Sequence, residues 1–299
     1  MWKRFAMALT ALVALSAPLS AQPESGLAPT EAFVENPSSG ARLYVQLYRP
    51  HQTGIYPSLV LIPGGNGAGS QSFRAPEAQG YADAGFLTFV FDPDGRGRSS
   101  GSENYNGFIQ QDGLKAVIEY AASHPQSDGR VVLVSNSYGV TMATGVLARY
   151  PGLPVAFYVD WEGPANRNDT GGCDGQGKGH LSQFSCTDET FWVEREASTF
   201  IQQIQVPYQR VQSQQDHVQS DNTHAILLVN NATNSAYGGA GVSPWTRLND
   251  LAPNQVYAAD YDAGWWPESA RTAELITYYL KQFLSGEIAV ARQTRSRSA

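Results

Sequence analysis

The stretch VVLVSNSYG, residues 131–139, decides how this chain folds and where its chemistry could lie. Its first four residues are apolar, which predicts a strand buried on both faces of a sheet, and an apolar-faced helical pattern follows directly over residues 138–150. A nucleophile on such a strand-to-helix turn needs small residues two positions before and after it, because the backbone is strained there. Ser135 and Gly139 meet that need around Ser137. The string S-x-S-x-G is common by chance, but its position between a strand and a helix favours a nucleophile at Ser137 over an ordinary turn.

The composition excludes several classes of protein. The chain has 299 residues, of which 42% are hydrophobic and 16% charged, so it can bury a sizeable core and is not a disordered chain. Its net charge of -7 makes nucleic acid an unlikely partner, because a phosphate backbone attracts a basic surface. Two cysteines are too few for a small disulfide scaffold or a four-thiolate zinc site.

The alternation of strand and helix recurs along the chain. Apolar runs bounded by turn residues occur at 58–62, 85–92 and 155–160, and a helical pattern occupies 111–123. An alternating segment at 41–48 predicts an antiparallel strand. Strands that alternate with helices indicate an α/β protein with a mostly parallel sheet and right-handed crossovers.

A single domain is predicted for residues 41–284, because the sequence shows no internal repeat and no low-complexity linker. Residues 163–204 interrupt the pattern with a Gly- and Asn-rich stretch, which predicts an insertion over the strand ends. Further boundaries follow from the local patterns: a polar extension at 22–40, a strand at 208–212, a strand near 255–258, a closing helix at 268–284 and a flexible tail at 285–299.

Residues 1–21 have the pattern of a secretory signal peptide. Lys3 and Arg4 precede a short apolar run, and the segment ends in Leu19-Ser20-Ala21, a small-x-small cleavage pattern. We therefore expect a secreted or periplasmic protein without a membrane span after signal removal. In an oxidising compartment Cys173 and Cys186, which lie in one Gly- and Asp-rich stretch, are expected to form a disulfide.

Three further segments give the chain a resemblance to the α/β-hydrolase fold family, over residues 41–284. The segment PGGNG at 63–67 resembles the family's oxyanion loop, and DPDGRGRSSG at 92–101 resembles its turn of the form D-x-R-G-x-G-x-S. Residues 204–218 resemble the strand and loop that present the acid of a catalytic triad. The resemblance implies a mostly parallel twisted sheet with helices on both faces and a loop-rich insertion over the strand ends.

The resemblance also implies roles for particular residues. Ser137 would be the nucleophile and Asp216 the acid that orients a histidine. The backbone N–H groups of Gly65 and Tyr138 would stabilise an oxyanion.

The expected triad histidine is missing from its usual place. The family often has Ala-Gly-His after the last strand, where this chain has Trp265, which cannot accept a proton. His217, beside Asp216, is our candidate base, with His180 and His224 as alternatives and with the further alternative that no histidine serves. The two remaining histidines, His51 and His124, are expected to be structural.

Carboxylates and tryptophans near the strand ends leave other possibilities open. Asp262 could act as a base if burial raised its pKa, and Asp160, Glu162 and Asp169 could bind a hard cation or simply form loop hydrogen bonds. The tryptophans could form a stacking surface at the pocket or belong to the core. They are Trp161, Trp192, Trp245, Trp265 and Trp266.

These patterns predict a secreted serine esterase or related acyl hydrolase that acts on a small ester-like or apolar substrate. We expect its pocket to include Asn66, Trp161, Glu162 and Trp265. No cofactor or metal site is expected. The alternative is a degenerate hydrolase fold that binds a ligand without turning it over, a hypothesis motivated by the missing histidine.

Overall fold

The computed structural model describes residues 28–173, 180–219, 221–262, 265 and 272–288. Within these residues one sheet of eight strands forms the centre of the molecule. The strands are Thr30–Glu35 (β1), Arg42–Tyr48 (β2), Tyr56–Ile62 (β3), Leu87–Phe91 (β4), Ser127–Asn136 (β5), Val155–Trp161 (β6), Tyr208–Val211 (β7) and Thr246–Leu248 (β8).

The sheet is mostly parallel, as predicted. Its strand order is β1-β2-β4-β3-β5-β6-β7-β8, and only the pairs β1 with β2 and β2 with β4 are antiparallel. The central strands contain buried apolar runs, such as residues 59–62 in β3 and residues 131–134 in β5, because both of their faces are covered.

Helices cover both faces of the sheet. The helices are Gly69–Ser72 (α1), Ala75–Asp83 (α2), Phe108–Ser123 (α3), Gly139–Arg149 (α4), Glu189–Trp192 (α5), Ala197–Phe200 (α6), Thr223–Ala232 (α7) and Thr272–Ser285 (α8). Successive side chains of β5 point to opposite faces. Val131 and Leu133 pack in the core formed with α3, α4 and α7, and Val132 and Val134 in the core formed with α2 and α8.

Two boundary predictions differ from the structure. The extension at 22–40 contributes β1, whose residues pair with β2 along its whole length. The strand predicted near 255–258 is wrong, because these residues have no regular structure and the last strand is β8. Asn254 donates its backbone N–H back to Thr246 O at 2.7 Å, so this segment turns around the end of β8 instead of extending the sheet.

The predicted signal peptide at 1–21 and most of the predicted tail, 289–299, lie outside the described residues, as do residues 266–271 at the predicted start of the closing helix. The disulfide between Cys173 and Cys186 is confirmed, with the two Cα atoms 5.5 Å apart. In the described part of the chain no helix combines the length and the apolar character that crossing a membrane requires.

The parallel register brings distant segments to one edge of the sheet. Ser135 of β5 lies opposite Asp160 of β6, which lies opposite Arg210 of β7. The residues that follow these strands therefore meet at the same edge, which is where ligands bind in open α/β sheets. Ser137, Glu162 and the segment after β7 all lie there.

Candidate active site

Ser137 occupies a sharp turn between β5 and α4. Its φ of 50° lies in the left-handed region, which costs energy for any residue other than glycine. Gly139 is required two residues later, because a Cβ there would lie only 2.8 Å from Pro63 O. Ser135 fits two residues earlier because its buried hydroxyl has partners, Tyr158 Oη at 2.7 Å and Asp160 Oδ1 at 3.2 Å. Local packing thus explains why serine can stand where the family's string has glycine.

His217 contacts the Ser137 hydroxyl. Its Nε2 lies 2.9 Å from Ser137 Oγ, and its Nδ1 lies 2.8 Å from Glu162 Oε2. Because a carboxylate only accepts, Nδ1 carries a proton and donates to Glu162. Nε2 of the neutral ring can then accept the proton of Ser137. The ring also stacks on Trp161, with centroids 4.6 Å apart.

Glu162 is the residue that our sequence interpretation placed in the pocket without assigning it the acid's role. It follows β6 directly with a φ of 46°, and its carboxylate is buried. Ser213 donates its backbone N–H at 3.0 Å and its hydroxyl to Oε1. Burial alone would raise the pKa of Glu162, but the hydrogen bonds from His217 and Ser213 outweigh it and hold the pKa below its usual value. Glu162 is therefore charged at neutral pH.

Asp216, expected to be the acid, has other partners. Its Oδ1 accepts the backbone N–H groups of Val218 at 2.8 Å and Gln219 at 2.9 Å, and lies 3.5 Å from His217 Nδ1. Its Oδ2 accepts Gln212 Nε2 at 3.0 Å and lies 3.3 Å from His224 Nε2. His217 Nδ1 therefore donates its short hydrogen bond to Glu162 rather than to Asp216. Asp216 shapes the loop that carries His217.

The other histidines lie in different environments. His224 is buried in α7, with Nδ1 3.0 Å from Gly163 O. His51 lies 3.5 Å from Asp83 at the surface, and Nδ1 of His124 accepts the Gln126 N–H at 3.2 Å. His180 lines the cavity beside Ser137.

A cavity of about 270 Å³ opens at Ser137. Six residues that we had expected at the site line it, namely Gly65, Ser137, Tyr138, Glu162, Asp216 and His217. The lining residues are Gly65, Ser137, Tyr138, Glu162, Pro164, Asp169, Thr170, His180, Asp216, His217, Val218 and Gln219. Pro164, Asp169, Thr170 and His180 belong to the insertion, which thus forms one side of the cavity.

The expected pocket residues Asn66, Trp161 and Trp265 are not among the lining residues, although Trp161 stacks on His217. Asn66 is exposed at the outer end of the glycine loop. Trp265 packs against the core and donates its Nε1–H to Asp262 Oδ1 at 2.9 Å, because an indole ring needs a partner for that group when it is partly buried.

Trp161 contacts the site by stacking on His217. Trp192 is fully buried, and Trp245 packs against the core on the α8 side. Trp266 lies outside the described residues. A stacking surface of several tryptophans therefore does not form within the described part of the chain.

Arg96 and Asp92, from the string at 92–101, hold the glycine loop at 63–67 in place. Arg96 donates to Gly65 O at 3.3 Å and Gly67 O at 3.4 Å while its Nε pairs with Glu103 at 2.7 Å. Asp92 accepts the backbone N–H of Ser70, just after that loop, at 2.8 Å. The string thus supports the loop that carries Gly65.

The carboxylates considered for a cation have other partners. Asp160 forms a fully buried ion pair with Arg210 at 2.5 Å, and Asp169 accepts Asn166 N–H at 3.1 Å in a capping box. Among the described residues, one group brings three ligand atoms within 4.8 Å of one another, namely Glu162, Asp216 and His217. The hydrogen bonds of His217 with Glu162 and Ser137, and its 3.5 Å contact with Asp216, account for this cluster.

One family model matches part of the chain. The family model of X-Pro dipeptidyl-peptidase (S15 family) matches residues 39–163, which include Ser137 and Glu162 but not His217. No curated protein matches the sequence.

Solved structures resemble most of the chain. The esterase Pf2001 of Pyrococcus furiosus has 14% identity and a TM-score of 0.61, covering 86% of this chain and 92% of its own. Est1E of Butyrivibrio proteoclasticus, solved with ferulic acid, has 16% identity and a TM-score of 0.61, covering 86% and 99%. The acylaminoacyl peptidase of Pyrococcus horikoshii has 13% identity and a TM-score of 0.60, covering 88% and 41%. At these identities the likeness is one of fold.

Proposed function

We propose that this chain, which has the α/β-hydrolase fold, is a serine hydrolase of small carboxylic esters that uses Ser137, His217 and Glu162 as its triad. One observation carries the proposal: His217 lies 2.9 Å from the serine hydroxyl and 2.8 Å from a buried carboxylate. The chain order serine, acid, histidine is the order of this fold's triads.

The reaction follows from this geometry. Nε2 of His217 accepts the proton of Ser137 as Oγ attacks the ester carbonyl carbon, and the resulting imidazolium is stabilised by the Glu162 carboxylate. The imidazolium then returns the proton to the departing alkoxide, which leaves as an alcohol. Water, activated by the same nitrogen, hydrolyses the acyl-serine and regenerates the hydroxyl.

The oxyanion would be held beside the nucleophile. Tyr138 N–H lies at the start of α4, where the helix dipole favours negative charge, and Gly65 faces the same cavity. Such donors are each worth about 3 kcal/mol of transition-state stabilisation.

Two features support an enzyme over a ligand-binding protein without turnover. The missing histidine at position 265 motivated that alternative, and His217 supplies a base from the loop after β7. The serine and glutamate also keep left-handed backbone conformations, which cost energy and are common at sites of chemistry.

A fluorophosphonate probe followed by peptide mapping tests the proposal. We expect labelling on the peptide that contains Ser137 and ester turnover that falls to background in Ser137→Ala. Ser123→Ala, which removes an exposed hydroxyl on α3, is the matched control. A folded wild-type protein that neither labels at Ser137 nor hydrolyses p-nitrophenyl acetate would refute the proposal.

We also propose that the chain is exported. The apolar segment at residues 5–15 and the Cys173–Cys186 disulfide support an oxidising compartment. The test is fractionation of cells that express the full chain, with N-terminal sequencing of the product; a mature protein that starts near Gln22 outside the cytoplasm is expected, and an unprocessed cytoplasmic protein would contradict export.

A further inference from the structure

His180 lies in the insertion and lines the cavity beside Ser137. Its ring stacks on Tyr105 with centroids 6.3 Å apart and an interplanar angle of 15°, and meets Tyr138 edge-on at 5.5 Å. Gln183 Nε2 donates to both His180 O at 3.1 Å and Tyr105 Oη at 3.0 Å. These contacts hold the ring in one orientation beside the cavity.

The Nε2 atom of this ring is buried and has no hydrogen-bond partner. A buried polar atom without a partner costs free energy, of the order of 1–3 kcal/mol, so its retention calls for an explanation. The ring meets Tyr138, and a Cβ built on Gly65 would lie 3.9 Å from His180 Cε1, the carbon between the two ring nitrogens. The ring edge that carries Cε1 and Nε2 therefore borders Gly65, whose N–H is one of the proposed oxyanion donors.

The ring is neutral at this position. Burial and the nearby Arg96 charge lower the pKa of His180 below its usual value. A neutral ring protonated on Nε2 is a hydrogen-bond donor that neither competes with His217 for the serine proton nor adds a fixed charge.

Resting on the proposed function, we infer that His180 donates a hydrogen bond from Nε2 to the substrate carbonyl oxygen as it becomes an oxyanion, alongside the backbone N–H groups of Gly65 and Tyr138. The donor comes from the insertion rather than from the sheet. The bond forms only when substrate occupies the cavity, which explains why Nε2 has no hydrogen-bond partner in the free protein.

The inference predicts a loss that falls on kcat. His180→Phe keeps an aromatic ring between Tyr105 and Tyr138 but removes the donor, and we expect kcat to fall about 10- to 100-fold with KM nearly unchanged, because the bond strengthens in the transition state. His180→Gln retains an amide donor and should recover part of the loss. His124→Gln, far from the cavity, is the matched control.

A transition-state analogue separates this role from a structural one. A boronic acid that forms a tetrahedral adduct with Ser137 should bind His180→Phe more weakly by about the factor lost in kcat. A kcat within twofold of wild type, a loss confined to KM, or unchanged boronate affinity would each overturn the role of His180. If His180→Phe does not fold, the smaller His180→Leu gives the same measurement. A wild-type protein without turnover would refute the proposed function instead, so the two failures are distinguishable.

Discussion

Glu162 and Asp216 both lie close to His217, but their carboxylates make different contacts. Both have an oxygen within 3.5 Å of His217 Nδ1, but Glu162 makes the short contact of 2.8 Å and Asp216 accepts two backbone N–H groups of its own loop. The proposed triad therefore depends on Glu162, while Asp216 fixes the direction in which His217 points.

We predict that Glu162→Gln lowers kcat by about 10³- to 10⁴-fold, because the amide cannot stabilise the imidazolium and can favour the wrong tautomer of His217. Steady-state hydrolysis of p-nitrophenyl acetate measures the loss. Glu77→Gln, in α2 and remote from the site, is the control. Activity of Glu162→Gln within tenfold of wild type, together with a large loss in Asp216→Asn, would return the acid's role to Asp216.

Asp216 should contribute to the loss of folding stability at low pH. Burial alone would raise the pKa of Asp216. Hydrogen bonds from His224, Gln212 and the Gln219 backbone N–H outweigh that effect and hold the pKa below its usual value. A carboxyl whose pKa is lowered in the folded state stabilises the protein above its unfolded pKa of about 4, and that stabilisation is lost as the pH falls further.

We therefore expect Asp216→Asn to be less stable than wild type at pH 7, with a difference that shrinks below about pH 4. Urea unfolding at a series of pH values measures it. A difference that stays constant from pH 7 to pH 3 would show that the carboxylate's charge does not contribute.

At the scale of elements, the sequence predicted the strands and helices that have strong apolar patterns. β3, β4, β5 and β6 each contain a mostly apolar run, so their positions followed from that pattern, although β5 begins four residues before its apolar run at Val131. The short edge strand β8 has only the three residues Thr246–Leu248 and depends on pairing with β7, which no local pattern reveals. The same reason applies to β1, whose side chains are half exposed or exposed.

The insertion is the element that the disulfide should stabilise. The bond closes a segment with a sequence separation of 13. Removing such a cross-link costs about 3 kcal/mol in the chain-entropy description. We predict that the double substitution Cys173→Ser and Cys186→Ser lowers the free energy of unfolding by about 2–4 kcal/mol. Urea denaturation of the variant and of the oxidised wild-type protein measures the difference.

The same double variant should lose esterase activity, because Asp169, Thr170 and His180 flank or lie within this segment and line the cavity. Reduced wild-type protein is the matched control and should behave like the variant. Unchanged stability and unchanged kcat in both would mean that the insertion holds its place without the cross-link.

At the scale of the whole molecule, the site is assembled by the sheet. Ser137 and His217 are 80 residues apart in sequence and meet because β5, β6 and β7 are parallel neighbours whose ends share one edge. The sequence predicted Ser137, the glycine loop and a candidate base at His217 from local strings. The choice of Glu162 over Asp216 depends on which side chain reaches Nδ1, and that is set by strand register and backbone conformation, which no motif encodes.

A buried ion pair links two of these strands beneath the site. Asp160 of β6 and Arg210 of β7 are fully buried, 2.5 Å apart, and Tyr208 Oη donates to the same carboxylate at 3.0 Å. Removing one partner of a buried pair leaves the other charge without compensation. We predict that Asp160→Asn lowers the free energy of unfolding by about 3–5 kcal/mol.

Arg130→Gln is the matched control for that prediction, because its pair with Asp128 lies at the surface, with the Arg130 side chain 50% exposed, and such pairs contribute at most about 1 kcal/mol. Urea unfolding of both variants gives the comparison.

Since Arg210 also donates to Gly163 O at 2.8 Å, next to Glu162, its uncompensated charge should disturb the end of β6 as well. We therefore expect Asp160→Asn to lose esterase activity, whereas Arg130→Gln should keep it; an Asp160→Asn protein as stable and active as the control would show that the pair does not position the site.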